Sequence, residues 1–178
     1  MKNLLKSVGA MMVAVVMAGS ALAVDAIAPG KVKSINADKK EFVLSDSLIA
    51  KDVTIKFGAD LLINRNGIEG KADLKVGDTI NVCHDNGKLT WTAHYILVQA
   101  GEFKDCVLVH GTIKSADEKE VVFTDRGNDV KLAMGDAKVR LNKAASKISE
   151  IKIGEHCVAI VEKIGEKATL KTLMIERK

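Results

Sequence analysis

The chain has 178 residues, of which 47% are hydrophobic and only 3% aromatic, and its charged residues leave a formal net charge of +4. Lys alternates with Asp and Glu along nearly the whole length, so the basic blocks that mark a nucleic-acid-binding surface are missing. An apolar run of roughly 20 residues, as a membrane-spanning helix needs, is missing too.

The first 23 residues read as a secretory signal peptide. Lys2 and Lys6 supply a positive start, Leu4 to Met17 is mostly apolar, and Ala21-Leu22-Ala23 is a small-x-small cleavage site. The mature chain is expected to begin at Val24, in the periplasm or outside the cell, without a transmembrane segment. No Cys follows the cleavage site, so a lipid anchor is not expected. Cleavage removes two lysines and no acids, which takes the charge from +4 to +2 on the remaining 155 residues.

Behind the signal the chain repeats itself. "GKVKSINAD" from Gly30 matches "GTIKSADEK" from Gly111, and "ADLKVGDTINV" (72–82) matches "SEIKIGEHCVAI" (149–160). "GKLTWTAHYILV" from Gly87 then lines up with "GEKATLKTLMIE" from Gly165, so the similarity spans a whole unit. In the first unit, 24–98, alternation of period two predicts strands near Lys31–Asn36, Glu41–Ser45, Val53–Phe57, Leu61–Asn64, Thr79–His84 and Leu89–Val98. Asp-Lys, Asn-Gly, Gly-Asp and Asp-Asn-Gly turns separate them, which suits short antiparallel connections. Residues 99–105 are a short polar linker, and Gln99 to Lys104 reads as a joint between separable lobes. In the second unit, 106–178, strands are expected near Val107–Lys114, Glu120–Thr124, Val130–Ala133, Lys138–Leu141, His156–Glu162 and Ala168–Ile175, with a helical turn at Lys143–Ser149. A unit of about 75 residues is too small for an open sheet with bare edges, so each should close on itself. The expected fold is all-β, two tandem small antiparallel β-barrels.

The stretches "GKVKSIN", "EFVL", "VTIKF", "ADLKVGDTINV" and the final "GKLTWTAHYI", in that order, resemble the OB-like small β-barrel repeats of exported bacterial proteins, largely families of unknown function. The resemblance covers nearly all of the mature chain. It implies an OB-like fold in the envelope with a binding or scaffolding role, and it brings no catalytic residues.

Gly77 and Gly154 are expected at sharp turns of positive φ, each capped by the acid that follows. Trp91 and Tyr95 alternate with Leu89, Ala93 and Leu97, which places them on the apolar face, with Leu170 and Met174 as counterparts. Core packing is then favoured over base stacking, and nucleic acid is not the expected partner. Cys83-His84 and His156-Cys157 are adjacent pairs whose side chains leave a strand on opposite faces, so neither clamps an ion locally. A metal site would have to be assembled across strands, with His94, His110 and His156 as candidates. Cys106 and Cys157 alternate with apolar residues and are expected to point into the same lobe, where a disulfide would close a 51-residue separation and add about 4 kcal/mol. Cys83 is expected on an outward face. No Gly-x-Ser-x-Gly elbow or paired catalytic carboxylates stand out. The expectation is a non-catalytic exported binding or structural module without a cofactor, its partner a protein or another envelope component. A periplasmic metal- or redox-handling protein using its Cys and His residues is the alternative.

Overall fold

The computed structural model describes residues 25–70, 73–85, 90–164 and 167–177. The segment 1–23, expected to be a signal peptide, lies outside them, as do Gly87, Leu89 and Gly165 of the repeat. Among the described residues no helix is long and apolar enough to cross a membrane.

The protein is all-β and forms two barrels. In the first, β1 (Asp25–Asn36), β2 (Glu41–Asp46), β3 (Lys51–Arg65), β5 (Thr79–Asp85) and β6 (Trp91–Val98) close in the ring β1-β2-β3-β6-β5, with β6 running parallel to β3. A short β4 (Ile68–Gly70) hangs on the end of β3 through the Asn66-Gly67 turn, both of whose residues have positive φ. In the second, β7 (Cys106–Ala116), β8 (Glu120–Asp125), β9 (Asn128–Ala133), β12 (His156–Ile164) and β13 (Lys167–Ile175) close in the same order. Here β10 (Lys138–Leu141) continues the parallel pairing to β13 that β9 begins, and β11 (Ala144–Ser146) is its hairpin partner.

Two expectations on element boundaries need correction. Val53–Phe57 and Leu61–Asn64 are one long strand, β3, carrying an irregularity between Phe57 and Leu62 where the second barrel breaks its strand outright. The stretch 143–149 holds a short strand, β11 (Ala144–Ser146), and only Ile148–Glu150 makes a single 3-10 turn. Asn142 and Lys143 both take positive φ and so make a hairpin where a helical start was expected.

The repeated phrases have matching structural jobs. Gly30 and Gly111 lie where β1 and β7 are crossed closely; a Cβ would stand 2.3 Å from the Ser45 carbonyl oxygen in one barrel and 2.5 Å from that of Thr124 in the other. Gly77 (φ +92°) and Gly154 (φ +89°) occupy tight turns in the left-handed region. Their N–H groups donate to the carbonyls of Val32 and Ile113, both at 2.8 Å, which ties each turn to the first strand of its barrel. The acid that follows accepts from the backbone N–H of the lysine three residues before it, Asp78 from Lys75 and Glu155 from Lys152. Each acid also pairs with an arginine, Asp78 with Arg65 and Glu155 with Arg177, and the latter contact holds the Glu155 carboxyl below its usual range.

Matching bulges decide which residues face inward. Lys33 and Lys114 are the extra residues where β1 and β7 leave register with β2 and β8. His94 and Lys171 are the extra residues of the last strands. A bulge shifts alternation by one. Trp91 and Ala93 therefore face the first barrel's core with Ile96 and Val98, whereas Tyr95 and Leu97 face out. In the second barrel Leu170, Leu173 and Ile175 face in and Met174 faces out. Strict alternation had put Tyr95 and Met174 in the barrel interiors, and the bulge overturns that.

The outward residues make a third apolar cluster that joins the barrels: Cys83, Tyr95 and Leu97 of the first against Cys106, Leu108 and Ile160 of the second. Asn81 accepts a hydrogen bond from the Leu108 N–H at 3.2 Å within it, and the Gln99 amide donates to the Cys106 carbonyl at 2.8 Å. The joint residues are held as well, because Gly101–Phe103 form a 3-10 turn and Phe103 packs against the interface cluster.

Candidate binding cleft between the barrels

Beside the apolar contact a cleft of about 740 Å³ opens between the two barrels. Its first wall comes from β3 and β4, whose outward residues include Asn64 and Glu69, with Phe103 of the joint at its edge. Its second wall comes from Arg140 on β10, Ser146 on β11, and Lys171 and Thr172 at the bulge of β13. The sequence "LLIN" alternates so that Leu61 and Ile63 enter the barrel and Asn64 does not, and the hairpin then brings Glu69 opposite it.

These side chains form one connected polar line. The Asn64 amide donates to the Tyr95 hydroxyl at 3.0 Å, and that hydroxyl donates to Glu69 Oε1 at 2.8 Å. Glu69 Oε2 forms an ion pair with Arg140 of the other barrel. Asn64 is 2% exposed and its carbonyl accepts from the Gly67 N–H, so its orientation is determined on both sides. Burial pushes the Tyr95 phenol well above its ordinary value, against a smaller opposite effect of the Asn64 hydrogen bond, so Tyr95 is a neutral donor at physiological pH. Asn64, Glu69 and Arg140 of this line border the cleft, and Tyr95, itself buried, holds Glu69 through its hydroxyl; a few ordered polar groups at a cleft are what orient a polar small molecule or chain end.

The residues singled out by the sequence are scattered over other places. Among the described residues no group of three or more His, Cys, Asp and Glu could hold a metal ion. His94 is exposed at the bulge of β6, its Nε2 3.8 Å from Asp85 Oδ2, and far from the second barrel's histidines in the strand order. His110 and His156 do come together: β7 and β12 are neighbours, His156 faces Thr112 in register, and the two rings are 5.8 Å apart. His84 is buried and stacks on Trp91 at 4.2 Å, with its Nδ1 2.9 Å from the Asp85 carbonyl.

A Cys106–Cys157 bridge, a possibility beside three unpaired thiols, is absent, and the register gives the reason. Cys106 lies opposite Glu162 and Cys157 opposite Gly111, five positions away along β7. That is about 17 Å of strand, against a Cα separation below about 7 Å for a disulfide. The two also face different clusters, Cys157 the second barrel's core and Cys106 the contact between barrels, and both are free thiols. Burial, then the Glu162 carboxylate, push Cys106 up to about 11; burial pushes Cys157 up to about 12. Cys83 is on an outward face as expected, but the second barrel covers it.

The polar line was not read from the sequence. Asn64 closing an apolar strand was the one available signal; that Glu69 and Arg140 meet depends on how the barrels dock. No family model matches the chain, and no curated protein matches it. Among solved structures, the crystal structure of Ag(I)CusF matches with a TM-score of 0.35 and 14% identity, covering 42% of this chain and 97% of that one. At that score the likeness carries no inference about ligand or role.

Proposed function

We propose that the chain is a non-catalytic, exported binding module built from two tandem OB-like barrels, and that its ligand seats in the cleft between them. The observation that carries this reading is the Asn64–Tyr95–Glu69–Arg140 line, which joins one barrel to the other and borders the cleft with Asn64, Glu69 and Arg140. The ring order β1-β2-β3-β6-β5 supports the OB-like assignment, since a five-stranded Greek-key barrel of that kind offers an outer face and loops for ligands. The signal-peptide pattern of 1–23 supports export to the periplasm or beyond. The ligand is then a polar component of the envelope, a protein end or a small molecule, held and released unchanged.

Native mass spectrometry of protein recovered from its envelope tests this. A bound component should appear at stoichiometric amount and leave with its mass unaltered, and Tyr95→Phe together with Arg140→Ala should reduce its occupancy at least tenfold. Full occupancy in that double variant, with the barrels still folded by circular dichroism, would remove the cleft as its seat. A chemically altered component would remove the non-catalytic reading.

A further inference from the structure

β11 is the last strand of its sheet, and among the described residues it pairs with β10 alone. Ala144 and Ser146 lie opposite Leu141 and Val139, whereas Ala145 lies opposite Arg140. The Asn142 N–H donates away from β11, to the Ile175 carbonyl at 2.9 Å, and this fixes which residues of the hairpin bond across it. Leu141 and Val139 turn their backbone groups to β11, and Arg140 turns its own to β13. The N–H and C=O of Ala145 therefore point out of the open edge. The backbone stays extended at Lys147 (φ −107°, ψ 151°), so its N–H points the same way.

Each face of this edge has a hollow beside it. On the outer face the exposed Ala145 and its register partner Arg140 both line the cleft. On the inner face a second hollow of about 360 Å³ is lined by Met134, Val139 and Ile148, with Ser146 and Lys147 on the β11 side. The two hollows differ in chemistry. The inner one rests on side chains of the barrel's apolar core, Met134 and Val139 among them. The second barrel's wall of the cleft carries Lys138, Arg140 and Lys171 against one acid, Asp136. Arg140 is engaged by Glu69, and Lys171 by Glu162 at 2.8 Å, which leaves the exposed Lys138 as the cation that an incoming acid meets.

We propose that the ligand of the cleft is an extended peptide that joins β11 as an added strand, with acidic side chains entering the cleft beside Lys138 and apolar ones the hollow over Met134. This rests on the reading of the cleft as the binding site and gives its ligand a chemical class. Successive side chains of a strand leave on opposite faces, so a peptide alternating acidic and apolar residues fills both hollows at once. Its main chain bonds to Ala145 and Lys147, which supplies affinity, and the two hollows supply the choice of sequence.

The test is calorimetric titration of the mature chain with a capped hexapeptide alternating Glu and Leu, and with the same peptide N-methylated at every Glu or at every Leu. The unmodified peptide should bind one to one. In the added strand the Glu amides face β11 and the Leu amides face away, so methylation at Glu should weaken binding at least tenfold and methylation at Leu should leave it nearly unchanged. Ala145→Pro removes the edge donor at a position whose N–H takes no part in the hairpin, and it should also weaken binding at least tenfold while circular dichroism stays the same. Lys138→Glu should weaken this peptide and strengthen one alternating Lys and Leu. If Ala145→Pro does not fold, hydrogen exchange of the Ala145 and Lys147 amides, slowed by the peptide in the wild type, takes its place. Absence of one-to-one binding, equal loss from the two methylated peptides, or unchanged exchange at Ala145 would overturn the added strand. If the peptide fails in this way while the Tyr95→Phe, Arg140→Ala chain still loses its envelope component, the cleft stands as the seat and only the strand pairing falls; full occupancy in that double variant removes the cleft itself.

Discussion

Gly30 and Gly111 look interchangeable with the chain's other glycines in the sequence, yet the space around each glycine differs by design. At these two a Cβ would meet backbone at 2.3 and 2.5 Å, whereas at Gly77 and Gly154 nothing lies within 4 Å and only the positive φ resists substitution. Gly111→Ala is therefore expected to cost about 2–3 kcal/mol by overpacking, and Gly154→Ala about 1 kcal/mol, read from urea midpoints of the two variants. Equal costs would show that close strand approach is not what Gly111 serves. The thiols give a second expectation. Cys106 at about 11 and Cys157 at about 12 stay protonated in the folded chain at pH values where an unfolded thiol ionises, near 8.5. The folded state thus binds more protons above that value, and stability should fall as pH rises from about 8.5 through 12. Comparing urea midpoints at pH 8 and pH 10 checks the sign, and Cys157→Ala should shrink the difference. For the same reason, iodoacetamide at pH 8 should leave Cys157 unlabelled until the protein is denatured.

At the scale of elements, the bulges at His94 and Lys171 decide what each last strand presents to its own barrel and to its neighbour. A strand without the extra residue would turn Ile96 and Val98 outward and bring the Tyr95 hydroxyl into an apolar core. Deleting His94 should therefore abolish the dispersed methyl signals of the first barrel in a proton–carbon correlation spectrum, while His94→Val, which keeps the extra residue, should preserve them. The lysines of the other bulge pair bear less weight. Lys33 bonds Asp52 at 2.7 Å and Lys114 bonds Asp129 at 2.8 Å, but all four side chains are about half exposed, and such pairs contribute little.

For the whole molecule the decisive contact is the apolar cluster between barrels. Two lobes on a loose polar linker would unfold separately. Cys83, Tyr95, Leu97, Cys106, Leu108 and Ile160 are instead all at most 7% exposed, and both barrels lose that burial if they part. A single cooperative thermal transition is expected, and Leu108→Ala should lower it by about 2–4 kcal/mol while leaving it single. Two resolved transitions in the wild type would show that the contact does not couple the barrels. Cleavage near Gly101 to Lys104 should be slow for the same reason, with Phe103 anchored against the cluster.

Alternation of period two, glycine turns and the two matching phrases were enough, without coordinates, for an all-β chain of two closed units, because those features act through local backbone geometry and through the need of a small sheet to bury one face. The turn roles of Gly77 and Gly154 and their capping acids were legible for the same reason. The inward or outward facing of Tyr95 and Met174 was not, since a one-residue bulge leaves no mark in composition and reverses every residue beyond it; nor was that of Cys106, whose apolar face with Leu108 is covered by the other barrel. Nor were the Glu69–Arg140 pair, the convergence of His110 with His156, or the distance between Cys106 and Cys157. Those follow from strand order and from the docking of one barrel on the other, where residues far apart in the chain meet through register and packing that no local pattern encodes.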